Sequence, residues 1–264
     1  MNESAGGVRS SLLLFIALVS VQAVPGRADL SEIDWIVGAS VGYSEFRFRP
    51  KIDSSLAFPS YDLSVAASWR RLYATAVYGG SMQDANVSEE DTSGNADRRD
   101  FDLTVGWQVG KGFGVFAGYK DGRTRLRLEP REDEENALAA FEERYGQEGP
   151  YVGASYSHYT ERYGIFGVSV AYAMLDADNQ FVADPDGADE GELPEFDDLT
   201  GSVNGDAEGF SYGLSWTRPL GAELLYRASL KINDYEQDLS FEGQRFDSLD
   251  QRFVSFMMGV SYVF

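Results

Sequence analysis

The sequence predicts an all-β protein, a transmembrane antiparallel up-and-down β-barrel of about ten strands with long extracellular loops. Three observations support this fold class. Apolar and polar residues alternate with a period of two through most of the chain after residue 32, as in strands with one apolar face. The connections between these segments alternate between short and long. The N-terminal apolar run is too short to be a transmembrane helix.

The N-terminal segment has the features of a secretory signal peptide. Its apolar run, residues 12–19, cannot cross a hydrocarbon core of about 30 Å as a helix. Small residues follow it at signal-peptidase spacing and end at Ala23 and at Ala28. We therefore expect a signal peptide at residues 1–28, with cleavage near residue 23 or 28, and a β-barrel domain at residues 29–264.

The composition favours strands and tight turns over helices. The chain contains 15 Tyr, 17 Phe, 4 Trp and 28 Gly, and aromatic residues are enriched in strands and in the girdles of membrane barrels. Cysteine is absent, which excludes disulfides and thiolate metal sites. The mean hydropathy is −0.30, and no later stretch approaches the roughly 20 apolar residues of a transmembrane helix. A helical membrane protein is therefore excluded.

The alternation predicts ten strands. In the last of them, apolar residues from Val254 to Phe264 occupy one face and mostly small residues occupy the other. The same pattern predicts strands, in chain order, at 33–48, 60–69, 72–82, 99–109, 113–127, 150–160, 164–175, 208–218, 222–233 and 249–263. The segment 176–207 could hold a further hairpin, so ten and twelve strands are both compatible with the sequence.

The connections predict which end of the barrel faces which side of the membrane. Short turns follow Trp69, Val109, Thr160 and Arg218, whereas the other predicted links have roughly 11 to 32 residues. Membrane barrels place short turns in the periplasm and long loops outside, and an even number of strands returns both termini to the periplasm. A soluble β-sandwich has no reason to segregate its long loops in this way.

The chain resembles the outer-membrane barrel proteins of Gram-negative bacteria. The resemblance covers the whole mature chain and is clearest in the C-terminal strand, where a series of apolar residues on one face ends in the terminal aromatic residue. It implies an outer-membrane location, contact with outer-membrane lipid and lipopolysaccharide, and insertion by the barrel-assembly machinery as a monomer. It implies no activity, because one fold serves many functions. The residues of this assembly signal are Phe256, Met258, Val260, Tyr262 and Phe264.

The negative charge is concentrated in the predicted loops. The formal net charge is −21, and the segments 83–97, 129–148, 176–208 and 234–250 together contain 31 acidic and 3 basic residues. Nucleic acid is therefore an unsuitable partner, since its phosphates would be repelled. The acidic loops are expected either to keep the surface solvated or to bind divalent cations.

One acidic segment offers candidate metal ligands. Hard carboxylate oxygens lie on either side of a glycine between residues 184 and 192, a composition suited to Ca²⁺ although it lacks the full EF-hand pattern. The alternative is simple solvation, and we expect no other cofactor. The candidate ligands in this segment are Asp184, Asp186, Asp189, Glu190 and Glu192.

A second acidic segment has helical rather than strand character. Residues 132–145 are rich in helix-forming residues, with Leu138, Phe141 and Tyr145 on one helical face. The pattern predicts a short amphipathic helix. Its apolar face would either pack on the barrel rim or cover the extracellular mouth.

The sequence provides little for catalysis. Its one histidine, His158, is expected near a short periplasmic turn. Outer-membrane lipases and deacylases carry a His-x-Ser arrangement, whereas this chain has Thr160 at the corresponding position. The ten-strand proteases called omptins need an Asp-His pair at the extracellular rim, the opposite end of the barrel. We therefore expect no catalytic residues and a protein that is not an enzyme.

The strand pattern also places charged residues of both signs inside the barrel. In so narrow a barrel they are expected to pair and fill the lumen, since only wide barrels leave an open channel. The expected function is a non-catalytic surface, envelope or structural role; the alternatives are a narrow cation-preferring small-solute channel and, less favoured, an omptin-like or lipid-modifying enzyme. The residues predicted to face the lumen are Asp34, Asp62, Asp102, Lys120, Glu223, Arg227 and Lys231.

Overall fold

The computed structural model describes residues 33–48, 56–88, 92–130, 141–183, 201–241 and 244–264. The predicted signal peptide lies outside these ranges. Within them the secondary structure consists of β-strands, and no helix is long and apolar enough to span a membrane. The strands are β1 Asp34–Phe48, β2 Leu56–Trp69, β3 Leu72–Ser81, β4 Ala85–Ser88, β5 Thr92–Gly110, β6 Phe113–Pro130, β7 Phe141–Thr160, β8 Gly164–Ala183, β9 Gly201–Pro219, β10 Leu224–Phe241 and β11 Gln244–Val263.

The strands close into a ten-strand antiparallel barrel, as predicted. Apart from β3 and β4, each strand pairs with its neighbours in sequence, and β1 pairs with β11 to close the ring. β3 and the short strand β4 both pair with β5 and share one position in the wall. The last strand therefore lies beside the first, as a closed barrel requires. This closure leaves no strand edge exposed to lipid at the seam.

Tight turns connect the strands at one end of the barrel. Arg70 and Lys111 have positive φ angles of 56° and 52°, and Gly112 has a φ of 84°. Such turns twist in the same sense as the strands that they join. A Cβ atom at Gly112 would lie 2.2 Å from the backbone oxygen of Ser157, so only glycine fits this turn.

We expect Gly112→Ala to destabilise the barrel by about 2 kcal/mol, because alanine adds both a positive-φ penalty and a backbone clash. Urea titration followed by tryptophan fluorescence would measure this loss. The matched control is Gly221→Ala in another turn, since a Cβ atom there meets nothing within 4 Å. Equal losses in the two variants would contradict this explanation.

At the opposite end the strands continue well beyond their predicted limits. β8 extends to Ala183, and β9 begins at Gly201, so much of the segment expected to be loop is wall. The predicted helix is wrong where the structure describes it, because residues 141–145 belong to β7; residues 132–140 lie outside the described ranges. Tyr145 is buried, whereas Arg144 is exposed, which shows that strand pairing overrides the local helix propensity.

The outer surface carries a continuous apolar belt. On β5 it spans the nine residues from Phe101 to Val109, the length that a tilted strand needs to cross a bilayer. Exposed aromatic residues occupy both margins of the belt, as in membrane barrels. They include Trp35, Trp107, Phe113, Phe166 and Tyr262 near the tight turns, and Tyr43, Tyr78, Phe101, Tyr119 and Phe210 near the other margin.

The interior is divided into three layers along the barrel axis. Near the tight turns, Ile36, Ala66 and Tyr73 form a small apolar cluster. The middle layer is polar and charged. Toward the other end lies a larger apolar cluster, which includes Phe46, Leu56, Phe58, Leu126, Tyr145 and Phe253.

Candidate functional site

The middle layer of the lumen surrounds a cavity of about 140 Å³. The cavity is lined by small residues on two adjacent strands and by long charged residues on four other strands. The small residues belong to β8 and β9, and the charged ones to β2, β5, β6 and β10. The small side is formed by Gly167, Ser169, Ala171, Ser211, Gly213 and Ser215, and the charged side includes Asp62, Asp102, Lys120, Arg227 and Lys231.

Asp102 is the centre of a hydrogen-bonded network on the charged side. Lys231 donates from Nζ to Asp102 Oδ2 over 2.9 Å. The hydroxyl groups of Tyr151 and Thr104 both donate to Oδ1 of the same carboxylate. Three donors from three strands therefore satisfy this carboxylate inside the barrel, as a buried charge requires.

Two further cations in the lumen have partners of different kinds. Lys120 donates from Nζ to the Tyr235 hydroxyl over 2.9 Å. Arg98 forms a bidentate pair with Asp100, with distances of 2.9 Å from Nε and 2.7 Å from Nη2, and its Nη1 donates to Thr124 over 2.8 Å. The predicted strand began at residue 99 and so excluded Arg98, while Asp100 lay within it but was not among the predicted lumen residues. Taking every second residue of this strand from Asp102 towards its N-terminus identifies both Asp100 and Arg98 as inward-facing.

Arg227 differs from these cations because it lacks a direct partner. Its buried Nε and Nη2 atoms have no hydrogen-bond acceptor among the described residues. Asp62 acts on it electrostatically, but this carboxylate is also near Lys231, Asp100 and Asp102.

The structure places most of the predicted lumen residues as expected, with one correction. Asp62, Asp102, Lys120, Arg227 and Lys231 line the cavity, and Asp34 lies half-buried at the first residue of β1. Glu223 does not face the lumen. Because β10 begins one residue later, at Leu224, Glu223 lies exposed in the preceding turn. There it accepts a hydrogen bond from the hydroxyl group of Tyr262, whose side chain lies on the outer face.

Charges also line the outer wall just above the apolar belt. Asp176 lies opposite Glu148 on one side and opposite Asp206 on the other. The same row continues to Asp121 on β6 and Asp238 on β10. We call these five residues the carboxylate row. On neighbouring strands directly opposed like charges are destabilising. Arg123 compensates Asp121 at 3.0 Å and Glu148 at 3.6 Å, whereas no cation among the described residues is paired with the central carboxylates Asp176 and Asp206. This central pair therefore requires a compensating partner.

A basic patch borders one end of this row. Glu142 is surrounded by Arg144 at 2.6 Å, Arg125 at 3.2 Å and Arg127 at 3.8 Å. Desolvation raises the pKa of the Glu142 carboxyl, but the hydrogen bond from Arg144 and the three positive charges outweigh it, and the pKa is lowered overall. One carboxylate therefore stays ionised among three cations, and the patch has a net positive charge.

The structure describes His158 but not the predicted metal ligands. Asp184, Asp186, Asp189, Glu190 and Glu192 lie outside the described residues. Among the residues that are described, no three His, Cys, Asp or Glu side chains lie close enough to hold a metal ion. His158 is exposed on the outward face of β7, two residues before the strand ends at Thr160.

Comparison with known proteins identifies the fold. No protein-family model and no curated protein sequence matches the chain. The outer membrane protease OmpT from Escherichia coli is similar in structure, with a TM-score of 0.56 and 12% identity over 91% of this chain and 99% of that one. The translocator domain of the autotransporter NalP from Neisseria meningitidis gives a TM-score of 0.45 at 12% identity, covering 89% of each chain.

At these identities the similarity concerns the fold and not the activity. The apolar belt, the closed ring of ten strands and the tight turns at one end agree with that fold. The chain is therefore a closed ten-strand β-barrel with the fold of an outer-membrane barrel protein.

Proposed function

We propose that the chain is a non-catalytic envelope protein that interacts with lipopolysaccharide through the wall above its apolar belt. The carboxylate row is the observation that carries this proposal. Below it, the outward residues on β6, β7 and β8 are Tyr119, Val152 and Met174, which belong to the lipid-facing surface. On β9 and β10 exposed acidic residues continue below the row, namely Glu208, Glu236 and Asp234. On β6, β7 and β8 the row therefore lies at the level where the anionic groups of the outer leaflet begin.

Divalent cations explain how an acidic wall can bind an anionic lipid. Mg²⁺ is commonly held by one or two carboxylates together with phosphate oxygens and water, so a protein-only metal cage is not required. Asp176 and Asp206 would each share such a cation with a lipid phosphate. The basic patch around Glu142 would contact further phosphates directly through arginine, which binds them in a bidentate manner.

The lumen supports a closed barrel over the alternative of a cation-preferring channel. Phe46 and Phe58 have 0% exposure, and Leu56 and Leu126 have 1%, so water does not reach these side chains between the cavity and the extracellular end. In the middle layer Lys231 pairs with Asp102 and Arg98 pairs with Asp100, and Lys120 bonds the Tyr235 hydroxyl. The outward position of His158 near the tight turns supports a role without catalysis.

The test of the lipopolysaccharide interaction compares wild type with Asp176→Asn/Asp206→Asn in two bilayers. In neutral phospholipid with EDTA, we expect the variant to be more stable by roughly 0.5 kcal/mol or more per relieved pair, because like charges no longer oppose each other. In bilayers with lipopolysaccharide and Mg²⁺, we expect wild type to be the more stable protein. Thermal unfolding, followed by the change in gel mobility, measures both.

A periplasmic variant provides the control. Glu161→Gln removes an exposed carboxylate in the turn between β7 and β8, on the far side of the membrane, and should leave the gain from Mg²⁺ unchanged. If Mg²⁺ and lipopolysaccharide stabilised wild type and the double variant equally, the proposed role of the row would be wrong.

A further inference from the structure

A second, smaller cavity lies in the lumen closer to the tight turns. Its volume is about 10 Å³, enough for one water-sized occupant. The hydroxyl groups of Ser64, Thr75, Thr217 and Ser261 line it, together with Arg227 and several apolar side chains. We call it the hydroxyl pocket. No carboxylate lines it.

Two residues that line this pocket carry unsatisfied polar atoms. Among the described residues, Arg227 Nε and Nη2 find no acceptor, and the buried Thr217 Oγ1 has no hydrogen-bond partner. Nε and Nη2 form the edge of a guanidinium that normally binds an anion. A buried cation without a direct counter-charge is costly, because desolvation is not repaid.

A glycine in the wall leaves space beside two of these hydroxyl groups. Gly38 faces them from β1, and a Cβ atom there would lie 2.5 Å from Ser261 Oγ and 2.8 Å from Ser64 Oγ. Any larger residue would force these side chains to move. The arrangement therefore combines a glycine with two threonines and two serines, all on separate strands.

From this combination we infer that the hydroxyl pocket binds a monatomic anion of about the size of chloride. The anion would neutralise Arg227 and accept hydrogen bonds from the surrounding hydroxyl groups, each of which can rotate its O–H toward it. A cation would be repelled by Arg227, and a space for about one small occupant suits a single atom better than a phosphate. Asp62 lines the larger cavity but not this pocket, so it does not occupy the position.

The experiment measures anion-specific stabilisation of the full barrel in detergent micelles. Chloride is exchanged for gluconate at constant ionic strength, and thermal unfolding is followed by tryptophan fluorescence. We expect the unfolding midpoint to rise with chloride and to saturate, as for a ligand that binds only the folded state. This dependence should be lost in Arg227→Met and greatly weakened in Thr217→Val.

Ser229→Ala is the matched control, because Ser229 lines the larger cavity and not the pocket; it should keep the chloride dependence. If Arg227→Met did not fold, Thr217→Val and crystals grown in bromide would decide the question, with an anomalous peak expected between Arg227 and Thr217. Equal stability in chloride and gluconate, an unchanged dependence in Thr217→Val, or the absence of the bromide peak would overturn the inference.

Discussion

Replacing Asp102 with Asn is expected to destabilise the barrel by about 3 kcal/mol. The substitution keeps the shape of the side chain but leaves Lys231 without its carboxylate, and breaking a buried pair typically costs 3–5 kcal/mol. The lower end applies because the adjacent cavity, about 140 Å³ in volume, has room for water that can solvate the ammonium group. Urea titration in lipid vesicles would give the free energy of unfolding.

A second substitution separates the loss of the pair from the loss of packing. In Asp102→Asn/Lys231→Met the uncompensated charge is absent, so most of the lost stability should return. Asp84→Asn, at an exposed position between β3 and β4, controls for the removal of an acidic residue. If the double variant were as unstable as the sum of its single variants, the ion pair would not be the cause.

The second large effect is expected from the apolar cluster above the cavity. Phe46→Ala/Phe58→Ala removes two fully buried rings, and truncating a buried Phe costs about 3–5 kcal/mol at each site. Because Phe58 also lines the cavity, the new space would join it. In planar bilayers, wild type should be silent and the variant should conduct ions.

Leu63→Ala serves as the control, since Leu63 faces lipid on the outer surface and its truncation should leave the bilayer electrically silent. Steady cation-selective steps from the wild-type protein would contradict the closed barrel and would favour the channel alternative.

The wall of the barrel within the membrane could be predicted from sequence because lipid imposes a strict period of two on its outer face. Above the belt this signal disappears. Outward residues such as Asp176 and Arg123 are charged there, so alternation in hydropathy no longer marks a strand even though backbone pairing continues. For this reason the strands were predicted too short, and residues 141–145 were assigned to a helix.

Pairing inside the lumen was only partly predictable. The alternation along each strand identifies which side chains face inward, as it did for Asp102 and Lys231. It does not tell which strands face each other across the lumen, so the direct contact between Asp102 and Lys231 could be seen only in the closed barrel. The unpartnered guanidinium of Arg227 had no sequence signal, because its environment is created by hydroxyl groups from four separate strands.

The division of one wall position into β3 and β4 has a mechanical consequence. β2 pairs with β3 only up to the Ser60–Ser81 pair, and β4 pairs with β5 alone. Backbone hydrogen bonds therefore run without interruption around the part of the barrel near the tight turns, whereas beyond Ser81 the ring of strand pairs is interrupted between β2 and β4. A continuous ring of strand pairs resists widening. An interrupted ring can widen at the gap between β2 and β4 without breaking any strand pairing, so this rim can deform while the membrane-spanning ring keeps its diameter.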